Sequence, residues 1–443
     1  MKWLIAFLIF SLLILFHEFG HFIVAKLNGV EVEEFSMGFG PRLLSGKFRG
    51  TRYSLKLLLF GGSCQMKGMY DLDEEEEDED GPPKEPEKGS FQAASLGKRA
   101  AIIFAGPFFN FLLSFICAVI IISVIGYDPA KVVAVTEGSP AAEAGLKAGD
   151  EIVEFMGQRT VIGRDVDSWF TFNDLKEGEL VTLKVKRDGQ EQEIKYTPAK
   201  SYRYMMGISY MADENPCKLS TVSEGSPAYG AGLRTGDVIT SIDGNEITSG
   251  RALNEYFQAH PMDGSKVEVG YTHDGNASTT SFTPYESSEI KLGFSYNLGR
   301  EKTTPLGVLR YGISEIRYWI VTTLRSLAAM FTGRFSVNDL SGPVGIVDVV
   351  GTTYDAVKDE GPLMTWLNML NMIVLLSANL GVINLLPIPA LDGGRLLFFA
   401  VEAIRRKPLN KKVEMTVQLV AVALLALLAV YVLFNDITRI IGR

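Results

Sequence analysis

His17-Glu18-Phe19-Gly20-His21 sets two histidines four residues apart, with a glutamate directly after the first. On a helix, positions i and i+4 project from one face, so both imidazoles can reach one metal ion. Glu18, one residue on, is placed for a water held by such an ion rather than for the ion itself. Zinc suits imidazole-plus-carboxylate donors, and a catalytic zinc needs three protein ligands with a fourth position left open. The third ligand should be another carboxylate or histidine in the same surroundings. The two remaining histidines, His260 and His273, lie in a distant stretch of soluble character. Asp392 stands out instead, in Asn384-Leu-Leu-Pro-Ile-Pro-Ala-Leu-Asp-Gly393, where two prolines interrupt an apolar run. Cys64, Cys117 and Cys217 are odd in number and scattered, so they form neither a disulfide framework nor a thiolate metal site.

The elements that must carry these residues follow from the distribution of apolar side chains. The 443-residue chain is 47% hydrophobic and 21% charged, with a net charge of −9 that speaks against a nucleic-acid partner. Apolar residues gather at both ends. A helix needs about 20 of them to cross the hydrocarbon core, and four segments qualify: 1–25, 96–126, 367–404 and 413–435. The first carries the His-Glu-x-x-His pattern and has no small-residue cleavage site after it, so it reads as a retained helix rather than a signal peptide. Each ionisable group there costs about 2.5–3.5 kcal/mol at the centre of a membrane helix, so three in five residues must face a protein interior and bind something. The third segment is broken and polar, and such backbone is tolerated in a membrane only where it lines a cavity. The loop 405–412 holds five basic residues in eight and should be cytoplasmic. Residues 26–70 then form a cytoplasmic-side, membrane-associated β region, and 71–95 a disordered loop with nine acids in its first ten positions. Residues 127–366 fall outside the cell membrane, with 300–366 an amphipathic interfacial helix (306–331) and a linker.

The exported part contains itself twice. Glu137-Gly-Ser-Pro-Ala141 recurs as Glu224-Gly-Ser-Pro-Ala228, and Ala144-Gly-Leu-Lys-Ala-Gly-Asp150 as Ala231-Gly-Leu-Arg-Thr-Gly-Asp237. Met206-Gly-Ile208 lines up with Leu292-Gly-Phe294, so a domain of about 85 residues is duplicated, over 127–212 and 213–299. Each copy resembles a PDZ domain in the arrangement where the Gly-Ile or Gly-Phe strand comes last. That resemblance implies peptide capture by strand addition at Gly207 and Ile208, and at Gly293 and Phe294.

Together, His-Glu-x-x-His in the first span and Asn-x-x-Pro-x-Pro-x-Leu-Asp-Gly in a late one resemble the site-2 protease family of intramembrane zinc metalloproteases. The tandem PDZ-like copies resemble its bacterial regulator-of-sigma-E branch, and the likeness runs along essentially the whole chain. It implies a multi-pass α-helical membrane protein with two exported α+β domains. It implies Zn2+ on His17, His21 and Asp392, Glu18 as catalytic acid/base, and Asn379 and Asn384 against the substrate backbone. Gly106-Pro107 and Asn110 fit the family pattern in the second span, where packing is the expected role. The implied substrates are single-span membrane proteins such as anti-sigma factors or remnant signal peptides, cut after an upstream site-1-type protease has acted outside. A strand edge in residues 51–60 is expected to hold the unwound substrate. Two other classes remain open on the residues alone: a divalent metal transporter, and a noncatalytic PDZ-bearing scaffold with a structural metal, in which Glu18 would be dispensable.

Overall fold

The computed structural model of the protein describes residues 2–69, 86–297, 299–407 and 409–441; the acidic block at 71–80 lies outside them. In chain order the elements begin with α1 (Lys2–Leu27), β1 (Val32–Phe48), β2 (Thr51–Met66) and α2 (Leu96–Ile125). The duplicated region supplies β3 (Val132–Val135), α3 (Pro140–Glu143), β4 (Glu151–Phe155), β5 (Gln158–Arg159), α4 (Arg164–Phe172), β6 (Val181–Arg187), β7 (Gln190–Tyr196) and β8 (Ala199–Met205). It continues with β9 (Ile208–Tyr210), β10 (Cys217–Val222), α5 (Pro227–Gly230), β11 (Val238–Ile242), β12 (Asn245–Glu246), α6 (Gly250–Ala259), β13 (Val267–His273), β14 (Asn276–Phe282), β15 (Tyr285–Lys291) and β16 (Phe294–Tyr296). The remainder is helical: α7 (Pro305–Phe331), α8 (Pro343–Val357), α9 (Pro362–Asn384), α10 (Asp392–Arg405) and α11 (Lys411–Ile441). Two compact units result, one of residues 1–130, 158–173 and 297–443, the other of 131–157 and 174–296.

Among the described residues of the first unit, four helices are long and apolar enough to cross a membrane: Trp3–Leu27, Leu96–Ile125, Pro362–Asn384 and Lys412–Arg439. Lipid tails are as apolar as leucine, so such helices associate through close packing and interhelical hydrogen bonds. Gly20 supplies the first, since a Cβ there would come within 2.9 Å of the Ala105 carbonyl carbon and of Phe109 on α2. The Ser114 hydroxyl donates to the Val374 carbonyl (2.9 Å) and Ser377 to that of Asn110 (2.8 Å), which ties α2 to α9 from both sides. Ala6, Leu13, Leu113, Leu367 and Val374 pack in the resulting core. Residues 332–366, expected as linker, contain the further helix α8. It starts on a proline, whose missing N–H costs nothing at a first helical position, and the amides of Gly342 and Gly345 donate to the fully buried Asp436 carboxylate of α11.

The β region is more folded than a simple hairpin. Phe35 pairs with both Cys64 and Tyr53, and Ser54 with both Ser36 and Ser45. The long strands β1 and β2 therefore each bend, at Gly38 and Gly40 and at Gly61 (φ near +90°), and make four strand segments in the order 62–66, 32–39, 51–58, 42–48. Residues 51–58 are thus interior, paired on both sides, and not the free edge expected of 51–60. The edge beside α1 is 62–66: a Cβ at Gly62 would lie 3.3 Å from Glu18 Cγ.

The second unit shows how the duplicated domains close, and the boundary expected at 212/213 does not hold. β9, from the end of the first copy, pairs with β10 of the second (Val222 with Ile208), while β16, from the end of the second, pairs with β3 of the first (Phe294 with Val135). Between them β8 and β15 form an antiparallel ribbon from Ala199–Lys291 to Met205–Tyr285. The second copy is accordingly inserted within the first. Its core, with Leu219, Leu233, Ile239, Ile242, Leu253 and Val269 buried, is complete between 206 and 282. Gly207 and Gly293 take equivalent positions in the two folds. Both have φ near +80°, both carbonyls accept a backbone amide (from Ser223 and Thr136), and both abut the serine that caps a short helix, Ser226 or Ser139.

Candidate metal centre

The metal-ligand candidates converge from opposite ends of the sequence. His17 and His21 face α2 from α1, and Asp392 arrives at the first turn of α10. The chain reaches it by a compact reversal after α9: Ala390 adopts φ +81°, a conformation a β-bearing residue takes up at a cost of about 1–3 kcal/mol. Gly394 lies where a Cβ would sit 2.7 Å from Pro389 Cα, and Gly393 where one would strike the Leu385 carbonyl. The Leu-Asp-Gly-Gly sequence is thus dictated by the tightness of the turn that delivers the carboxylate. Gly106 does the same from α2, since a Cβ there would lie 2.7 Å from His17 Cε1 and overlap the His21 ring.

His17 Nε2 lies 3.2 Å from His21 Nε2, and Asp392 Oδ2 lies 3.2 Å and 3.4 Å from the two nitrogens. Zinc bonds of about 2.0–2.1 Å at tetrahedral angles separate ligand atoms by about 3.3 Å, so the three donors stand at the edges of one coordination tetrahedron. Both histidines are buried, and the buried Asp392 Oδ2 has no hydrogen-bond donor among the described residues. An acceptor so placed fits a cation. The outer ring nitrogens are held too. His21 Nδ1 meets the Ile102 carbonyl at 2.9 Å, and a carbonyl can only accept, so the proton sits on Nδ1 and Nε2 presents its lone pair.

His17 Nδ1 faces two side-chain amides, Asn110 at 3.2 Å and Asn384 at 3.5 Å. A metal on Nε2 requires a proton on Nδ1 and an oxygen to receive it. Fully buried Asn110 has an Oδ1 with no partner among the described residues, and a half-turn of its amide supplies that oxygen. Asn110, expected to pack, therefore stands where it can orient the His17 ring; a buried amide within a membrane-crossing helix was the available signal. Of the two asparagines expected against the substrate backbone, Asn384 lies beside His17, whereas Asn379 Oδ1 accepts from the Thr323 hydroxyl of α7 at 2.5 Å. Gly207, Ile208, Gly293 and Phe294 belong to the second unit, where Ile208 and Phe294 begin β9 and β16 and each glycine directly precedes its strand.

Residues 5–428 match peptidase family M50. A putative zinc metalloprotease of Vibrio cholerae is 32% identical over 98% of this chain and 98% of its own length. The regulator of sigma-E protease RseP of Escherichia coli is 31% identical over 97% of each chain. The regulator of sigma-W protease RasP of Bacillus subtilis is 31% identical over 98% of this chain and 97% of its own. With a match along nearly its whole length, this chain belongs to peptidase family M50.

Proposed function

We propose that the protein is a zinc metalloendopeptidase of the cell membrane that cuts single-span substrates within the bilayer, anti-sigma factors among them, after a first cut outside. The observation that carries this is the three-donor cluster of His17, His21 and Asp392, spaced for one ion and paired with the acid Glu18. A zinc ion held there would polarise the scissile carbonyl and lower the pKa of its water to about 7. Glu18 takes the proton from the attacking water and delivers it to the leaving amine nitrogen. His21 and His17 keep their ligating nitrogens bare because Ile102 and Asn110 hold the opposite ones. The edge 62–66, next to Glu18, receives the substrate as an added strand once its helix is unwound, with Asn384 at the backbone. The duplicated domains, read as PDZ-like and lying outside the membrane, screen the substrate's shortened ectodomain at Gly207–Ile208 and Gly293–Phe294. The loop 405–412 faces the cytoplasm.

The test is Glu18→Gln in the full-length protein, with zinc content measured beside cleavage of a single-span substrate. Zinc should stay at the wild-type level while cleavage falls by about 10²–10⁴-fold, the range for a lost general base. Undiminished cleavage would remove the peptidase reading in favour of a structural metal.

A further inference from the structure

Helix α7 carries a groove that neither the metal centre nor the peptidase reading uses. It has a volume of about 430 Å³ and is lined by Leu306, Leu309 and Ile313, with Arg159, Arg310 and Arg317. The three apolar residues recur at i, i+3 and i+7, one stripe of the helix. They are turned outward: Leu306 is 76% and Ile313 61% exposed. Arg310 follows Leu309 directly, and Arg317 lies seven residues on, so the cations flank the stripe. Arg317 gives Nη2 to Asp165, and its buried Nε has no hydrogen-bond partner among the described residues. Arg159 and Arg310 have no carboxylate partner among the described residues and are exposed.

The groove's height is fixed by its neighbours. Lys302 Nζ caps the Ser123 and Val124 carbonyls in the last turn of the apolar helix α2, and Tyr127, just past that helix, stacks on Tyr311 of α7 at 3.7 Å between ring centres. Gly312 packs against Phe115 and Val119 of α2. The first turns of α7 thus stand where a membrane-crossing helix leaves the hydrocarbon. Tyr127, Tyr311, Tyr318 and Trp319 gather there, the residue types that favour the boundary between lipid tails and water.

We propose that this groove binds an anionic phospholipid, its phosphate held by Arg159, Arg310 and Arg317 and an acyl chain lying along Leu306, Leu309 and Ile313. Cations beside an exposed leucine stripe at headgroup level match the two halves of such a molecule, whereas a free anion would leave the stripe in water. The site rests on the membrane location of α2 and is independent of peptide cleavage.

The full chain, purified in detergent, is titrated with dioleoylphosphatidylglycerol and with dioleoylphosphatidylcholine, reading lipids retained in native mass spectrometry and the thermal midpoint. Phosphatidylglycerol should be retained and raise the midpoint, and phosphatidylcholine should do neither. In Arg159→Gln/Arg310→Gln, affinity for phosphatidylglycerol should weaken by about fivefold per arginine removed. The charge-keeping Arg159→Lys/Arg310→Lys pair retains most of it and separates lost charge from lost fold. Equal response to both lipids, or an unchanged response in the glutamine variant, would overturn the proposal. So would inorganic phosphate reproducing the full midpoint rise, which marks a free-anion site. Polyglutamate binding where phosphatidylglycerol does not would assign the groove to a polypeptide instead.

Discussion

The two duplicated copies keep one frame and spend its second helix differently. Gly163 N donates to the Asp128 carbonyl (3.1 Å), and 87 residues later Gly250 N donates to that of Asn215 (3.0 Å), so the entry to each helix is built alike. The next residue is arginine in both. Arg164, mostly buried, donates through Nε to Asp128 (3.0 Å) and through its second nitrogen to Glu315 of α7, both carboxylates buried, with Asp165 beside it bound to Arg317. Arg251, its side chain exposed, pairs with the exposed Glu214. Helix α4 is thereby held to α7 by desolvated charge, while α6 is held by the apolar Leu253 in its own copy's core. A duplication copies backbone first; side chains at the same address then acquire separate attachments.

Charge truncation should expose that divergence most strongly. Arg164→Met strands Asp128 and Glu315 in a buried setting and should cost about 3–5 kcal/mol. Arg251→Met should stay within about 1 kcal/mol. Thermal unfolding of the purified chain reads both, and equal losses would dissolve the contrast. A smaller, symmetrical effect is expected at the caps. Ser139 accepts from Ala142 N at 3.3 Å and Ser226 from Tyr229 N at 3.2 Å, so alanine at either should cost about 1 kcal/mol in unfolding titrations. A cap that mattered in one copy alone would show that the frames have drifted too.

The least effect is a pH dependence confined to one copy. Asp150 is pushed up by burial but more than compensated by Arg187 and the Lys147 amide, so its carboxyl sits below the ordinary range. Asp237, in the matching position, faces His273 Nδ1 at 2.5 Å, and that bond raises the imidazole above its usual value, with Asp274 adding to the rise and Arg234 opposing it. The Arg187 pair is lost only as pH falls through the lowered Asp150 value. The His273 contribution is full below about pH 6.5 and disappears as pH rises through the elevated value. Amide exchange in β13, corrected for intrinsic rate, should therefore quicken from about pH 6 to 9 relative to β6, and His273→Arg should flatten the trend. No trend in the wild type would place the second copy's stability elsewhere.

The gathering of His17, His21 and Asp392 into one candidate donor cluster was legible because its signals are local: an i, i+4 pair needs only a helix, and a proline-broken apolar run needs only a cavity. What escaped is nonlocal. Asn379 and Asn384 share a sequence neighbourhood, but five residues turn a helix by about 500°, leaving the two roughly 140° apart, so one lies beside His17 while the other meets Thr323 of α7. Exchange of β9 and β16 was hidden for another reason: copies of one sequence offer interchangeable strands, and spacing does not record which partner each takes. The bends in β1 and β2 depend on glycines whose φ is positive only in the folded sheet.

The nesting of one copy inside the other sets an order on synthesis. A ribosome releases everything the inserted copy needs by residue 282, whereas the surrounding copy waits for its closing strand at 294–296. The nascent chain must therefore carry an open β3 margin past a finished neighbour. The β8–β15 stem, annealing on the way, draws the late strand back to it.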